Sequence, residues 1–215
     1  MPENSKRRVK ASQGLCKHSP KTSSCNGLVK GIVIGIDQAL ETTGVAICLL
    51  NIFSIHTFVF KTDKKYSTEE RLYQIDSFFS ALFLKLKPSC VSLEEVYQGQ
   101  FRTSALRLAQ VYSTLTNACL RSNISYSTFA SAKTKKSNSW TYTLNLLGTK
   151  EYCREWLLKN NKSKAEILEL TDHECDAIGI AWAKIVKDRV YQPSDILKFT
   201  IEQSPINDIN KLIQS

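Results

Sequence analysis

The sequence predicts a single α/β domain in which one mixed sheet is covered by helices on both faces. Three observations lead there. Short apolar runs rich in β-branched residues alternate with longer runs of helical period. The first three apolar runs follow one another closely, as in a meander, whereas the later ones are separated by helical segments. A length of 215 residues with 42% hydrophobic residues suits one real core with tails rather than two full domains.

The elements follow in order. Residues 31–37, GIVIGID, read as a buried strand that ends on a lone carboxylate, Asp37. GVAICLL at 44–50 and IFSIHTFVF at 52–60 read as two more strands, with a tight turn around Asn51. Ser67, followed three residues later by Glu70, has the form of a capping box and starts a helix. Leu72, Ile75, Phe79, Leu82 and Leu86 carry its apolar stripe, and Pro88 stops it. CVSLEEV at 90–96 is a short strand that again ends in acids. Residues 103–121 form a long helix with Leu106, Ala109, Leu115 and Cys119 among its apolar positions, and ISYSTF at 124–129 is a fifth strand. KTKKSNSW, starting at Lys133, is a basic loop, and 149–160 a basic amphipathic helix. DHECDAIGIAWAKIVK at 172–187 is a further helix, with Ile178, Ala181, Trp182 and Ile185 on one side. This order is that of a ribonuclease-H-like fold with a five-stranded mixed sheet. It divides the chain into a basic arm at 1–30, a folded domain at 31–187 and an appended C-terminal extension at 188–215.

Charge narrows the partners. A net charge of +9 and a pI near 9.2 favour nucleic acid or an anionic membrane surface. No apolar run reaches the ~18 residues of a membrane span, so no membrane partner is expected. The seven cysteines are odd in number and several lie within apolar runs, which fits free thiols in a reducing, intracellular compartment such as the cytoplasm of a bacterium or a phage-infected host. Cys16, His18 and Cys25 would suit zinc, but no fourth ligand or paired knuckle follows. Residues 1–30 are rich in Lys, Arg and Ser with one acid, Glu3, and read either as an arm that touches DNA or as an organelle transit peptide.

The acidic residues carry the chemistry. Asp37 and Glu94 each end a strand, and in open α/β sheets ligands gather at strand ends. Asp172, His173, Glu174 and Asp176 open the last helix of the domain. Acids also suit a helix start for its free N–H groups, so Asp172 reads first as a cap. His173 and Asp176 are three residues apart and share a helix face. Were that face to meet Asp37 and Glu94, the four would form an oxygen-rich site for Mg²⁺ or Mn²⁺. Two such ions ~3.5–4 Å apart activate water and stabilise the leaving oxygen of a phosphodiester.

GIDQALETTGVAI, VSLEEVY and HECDAIGIAWA, in that order over residues 31–187, resemble the three motifs of RuvC-type Holliday junction resolvases, most closely a phage or mobile-element branch. The resemblance implies a homodimeric, metal-dependent endonuclease that nicks opposed strands of a four-way DNA junction symmetrically and leaves 5′-phosphates. It implies Asp37, Glu94, His173 and Asp176 as the metal-binding catalytic set. Tyr97 falls where the family places an aromatic near the crossover and would stack on an unpaired base, or else pack on the surface. Lys133 and Lys150 would approach the scissile phosphate. Lys135, Lys136 and Arg154 belong to the same basic stretch, which reads as a phosphate-neutralising surface or a solvated face. Arg102 and Arg107 follow the second motif, and Arg102, just ahead of the apolar helix, is the better placed to meet DNA.

The chain departs from the family in a longer basic loop and helix, in its two extra tails, and at two motif positions. Asp37-Gln38-Ala39 replaces the usual Asp-Pro-Gly, and His173 stands where many members have Asp. Three other functions fit part of the pattern. A ribonuclease H acting on RNA–DNA hybrids shares the fold and the metal logic. A non-catalytic junction-binding scaffold would lack a ligand, yet all four positions are filled. An actin-like ATPase needs glycine near the phosphates, where this loop has Gln38, Ala39, Leu40 and a repelling Glu41.

Overall fold

The computed structural model describes residues 31–96, 102–129, 170–192, 195 and 198–214. Strands β1 (Ile32–Asp37), β2 (Thr42–Leu49) and β3 (Ser54–Lys61) form the antiparallel meander. Helix α1 (Thr68–Leu86), β4 (Cys90–Glu94), α2 (Arg102–Arg121) and β5 (Tyr126–Phe129) follow. Helix α3 (Asp172–Lys187), β6 (Thr200–Gln203) and α4 (Ile206–Gln214) complete the described elements. The sheet order is β5-β4-β1-β2-β3-β6. β4 runs parallel to β1, β5 parallel to β4, and β6 parallel to β3.

Strand alternation splits the core in two. Ile34, Ile36, Val45, Ile47, Phe58, Val91 and Leu93 pack with Ile75, Phe79 and Leu82 of α1 and Val111 and Leu115 of α2. Val33, Ala46, Cys48 and Ile55 face the other way and pack with Ile178, Ala181 and Trp182 of α3. Helices therefore lie on both faces, as the sequence predicts.

The capping box at Ser67 and Glu70 forms as expected, with α1 ending at Leu86 and Lys87 in the left-handed region just before Pro88. Three details differ. The second and third strands are joined by a wider turn over residues 50–53, where Phe53 takes a positive φ and packs against Tyr191 and Phe199. The N-cap of α3 is Thr171, not Asp172: Thr171 and Glu174 make a reciprocal capping box, and Asp172 is the first helical residue, exposed to solvent. The sheet has six strands among the described residues rather than five. β6 comes from the C-terminal stretch: Thr200 N donates to Phe53 O (2.8 Å) and Ser204 N to Thr57 O (2.7 Å). Its sequence, TIEQ, buries only Ile201, so an edge strand this short carries no apolar pattern to read. Ile206 and Ile209 of α4 then join the core on the α1 side.

The expected arm at 1–30, the basic loop at 133–140 and the helix at 149–160 lie outside the described residues.

Candidate active site

Asp37 and Glu94 are the final residues of adjacent parallel strands. The ladder pairs Gly35 with Ser92 and Ile36 with Leu93, so the next residues on each strand, Asp37 and Glu94, leave the sheet side by side. Alternation puts both on the α3 face, opposite the buried Ile36 and Leu93. Neighbouring strands lie about 4.8 Å apart, so the two residues leave the sheet as near neighbours.

Helix α3 crosses this face at backbone contact, and two glycines allow it. A Cβ on Gly35 would stand 2.1 Å from the Ala177 carbonyl oxygen, and one on Gly44 would stand 2.0 Å from that of His173. Gly44 is the register partner of Asp37. The first turn of α3 is thus set directly over the end of β1, and the His173 ring reaches Asp37: Nδ1 and Oδ2 are 2.6 Å apart. With the carboxylate accepting from Nδ1, the other ring nitrogen, Nε2, is left for a ligand. The Asp37 side chain is 15% exposed and that of His173 41%. Burial raises the pKa of Asp37 above the ordinary carboxylate value, while the hydrogen bond and charge of His173 pull it part of the way back down.

Asp176 lies one turn further along α3. Its pKa is pushed up to about 6, first by partial burial, then by the charges of Asp37, Glu94 and Asp172, with His173 opposing. The carboxylates at both strand ends therefore act on the helix-borne one. Among the described residues, no three His, Cys, Asp or Glu side chains already stand as a metal-ligand cluster. The donor set itself, three carboxylates and an imidazole with mutual repulsion to relieve, has the chemistry a divalent cation takes.

Two supporting contacts escaped the sequence reading. Gln38, 4% exposed, donates from Nε2 to the Glu94 carbonyl (2.5 Å) and accepts the Glu94 N–H on Oε1 (3.1 Å). Glu174, fully buried, accepts from Thr171 N and Oγ1 (2.9 Å each) and from Gln203 Nε2 of β6 at 3.0 and 3.1 Å. In the sequence, a polar residue directly after an apolar strand and a buried-side acid in a cap were the only traces of them. Glu95, the next residue along from Glu94, is exposed, and its charge is among the lesser causes that raise the Tyr112 phenol of α2, after burial.

Of the expected DNA-contacting residues, Arg102 is the first residue of α2. Tyr97, Lys133, Lys135, Lys136, Lys150 and Arg154 lie outside the described residues.

A mixed sheet of this order, with acids at the ends of its central parallel strands and a helix laid across them, defines a ribonuclease-H-like domain. Within that class, the family described as crossover junction endodeoxyribonuclease RuvC matches residues 33–141, half of the chain. The chain belongs to the RuvC family. The RuvC of Sphingopyxis alaskensis is 28% identical over 109 residues, covering 49% of this chain and 70% of that protein. The RuvC of Orientia tsutsugamushi strain Boryong is 29% identical over 109 residues, covering 49% and 69%. In fold, Thermus thermophilus RuvC in complex with a Holliday junction substrate superposes with a TM-score of 0.60 at 18% identity, covering 74% of this chain and 95% of that one. The yeast mitochondrial Holliday junction resolvase Ydc2 gives 0.51 at 15% identity, covering 80% and 85%. Resolvases of the RuvC family are metal-dependent nucleases. Asp37 and Glu94 fall within the family match, whereas His173 and Asp176 lie beyond its end.

Proposed function

We propose that this protein is a structure-selective DNA endonuclease that resolves four-way junctions by paired, symmetric nicking. The observation that carries the reading is the meeting of Asp37 with His173 at the mouth of β1, beside Glu94 on the adjoining strand. Asp37, Glu94, His173 and Asp176 would hold Mg²⁺ or Mn²⁺, two ions per site. Such ions supply a reactive water and charge stabilisation on the phosphate oxygens. The chain's own part is to fix two carboxylates on rigid strand ends and to orient the His173 ring through its Nδ1 bond to Asp37. The excess of 29 basic over 20 acidic residues draws the phosphate backbone in. Tyr97, Arg102, Lys133, Lys135, Lys136, Lys150 and Arg154 are the residues proposed to touch DNA.

The active form is proposed to be a homodimer that places two such sites on one junction, with α2 in the contact, where Leu106 and Leu120 are exposed. A reducing, intracellular setting is supported by the buried thiols of Cys48, Cys90, Cys119 and Cys175. Burial pushes the Cys48 thiol up to about 12, so it stays a thiol. Among the described residues, no helix is long and apolar enough to cross a membrane.

Purified protein with Mg²⁺ should cut a synthetic four-way junction in paired nicks, leave 5′-phosphates and spare linear duplex. Asp37→Asn should abolish cutting while junction binding persists. Equal cleavage of an RNA–DNA hybrid would make it a ribonuclease H, and junction binding without cutting in any divalent metal would make it a scaffold.

A further inference from the structure

We propose that Gln38 is a positioning residue for Glu94, acting as a side-chain substitute for one more peptide of β1. The proposal rests on the reading of Glu94 as a metal ligand. The β1–β4 ladder ends with Ile36 and Leu93. Along a parallel strand, successive residues turn their N–H and C=O to alternate neighbours. Glu95 N donates to Phe129 O on the β5 side, and both backbone groups of Glu94 point the other way, toward β1. There the main chain is already leaving the sheet. The primary amide of Gln38 fills the gap, because it carries one carbonyl and one NH₂, the same donor and acceptor as a peptide. It donates to Glu94 O at 2.5 Å and accepts from Glu94 N at 3.1 Å.

The loop that carries Gln38 is itself pinned. Thr43 Oγ1 donates to Ala39 O (2.7 Å) and Thr62 Oγ1 to Leu40 O (2.5 Å), while Arg71 Nε donates to Thr62 Oγ1 (2.8 Å). The amide is thus held at both ends, and Glu94 has its backbone direction fixed at the point where its carboxylate leaves the sheet. Few side chains can do this. Asn has the amide but is one methylene short. Glu can accept but, when ionised, cannot donate, and it would set a charge against a carbonyl oxygen. Pro, which the family's usual motif would place here, offers neither group. Gln38 therefore replaces a ring that stiffens the turn with a clamp that stiffens the neighbouring strand end.

The test compares full-length wild type with Gln38→Met, which keeps the length and loses both hydrogen bonds, and with Gln38→Glu, which keeps only the acceptor. Three quantities are read: Mn²⁺ affinity by titration calorimetry without DNA, junction affinity without metal, and cutting rate as a function of Mn²⁺. Loss of an orienting partner to a metal ligand characteristically costs about 10- to 100-fold in affinity or activity. Gln38→Met should lose Mn²⁺ affinity on that scale, keep junction affinity within about twofold, and regain most of its rate at high Mn²⁺. A merely structural role would instead lower the rate at every metal concentration in step with the folded fraction. Wild-type Mn²⁺ affinity in a folded Gln38→Met or Gln38→Glu protein overturns the positioning role alone. A wild type that binds no Mn²⁺ and cuts no junction overturns the nuclease reading and this inference together.

Discussion

The two halves of the candidate site are held by different physics. Asp37 and Glu94 sit on strands whose spacing is set by ladder hydrogen bonds and, at the last step, by the Gln38 amide. His173 and Asp176 sit on a helix held against the sheet by side-chain packing, by its close seat on Gly35 and Gly44, and by a cap tied to β6 by Gln203. The strand half lies inside the family match and the helix half outside it. Backbone pairing preserves geometry without regard to most side chains, whereas a packed helix keeps its place only while its particular contacts survive. The helix half should therefore be the easier one to dislodge by substitutions that touch no catalytic group.

The strongest break should come at the contact between the halves. Gly44→Ala drives a Cβ into the His173 backbone, which has no flexible end to yield. Overpacking of this kind costs about 1–3 kcal/mol, and more where backbone must move. Urea unfolding should show a loss at the upper end of that range, with cutting lost beyond what the folded fraction explains. Next, Gln203→Leu removes the donor that bridges both oxygens of the buried Glu174. Leaving a buried acceptor short of a partner costs about 1–3 kcal/mol. Hydrogen exchange should show the first turn of α3 opening while β1 and β4 stay protected. Equal loosening of both halves would erase the distinction between them.

The smallest effect sharpens the electrostatics. Asp176 titrates near 6 in the folded protein against an ordinary 3.8, so the folded state holds the proton more tightly than the unfolded one. Stability of the metal-free protein should therefore fall as pH rises from about 4 to about 6 and stay lower above that. Asp176→Asn should lack that fall. Because the side chain is open to solvent, screening holds its gain at neutral pH to about 1 kcal/mol, absent near pH 3. Added Mg²⁺ should cancel the gain, since a bound cation removes the repulsion that the asparagine relieves. Denaturation at several pH values with and without Mg²⁺ checks each point.

The sequence was legible where a residue's role follows from its neighbours along the chain. GIVIGID, CVSLEEV and the Ser67–Glu70 box gave strands and a cap from local pattern. Strand-end logic singled out Asp37 and Glu94, and helical spacing put His173 with Asp176. What was not legible depends on residues far apart in sequence. Gly44 read as part of a motif, not as the seat for the His173 backbone. Gln38 read only as a departure from Asp-Pro-Gly, because its partner is 56 residues away. β6 was missed because an edge strand with one buried residue has no period to detect, and Asp172 took the place of Thr171 because both are good caps.

The bridge from Gln203 to Glu174 also orders events during synthesis. Every proposed ligand precedes Gln203 along the chain, and the third strand, on which β6 docks, is translated long before it. A nascent polypeptide emerging from the ribosome can thus complete its strand-borne carboxylates early, yet cannot fasten the collar of α3 until β6 has cleared the exit tunnel.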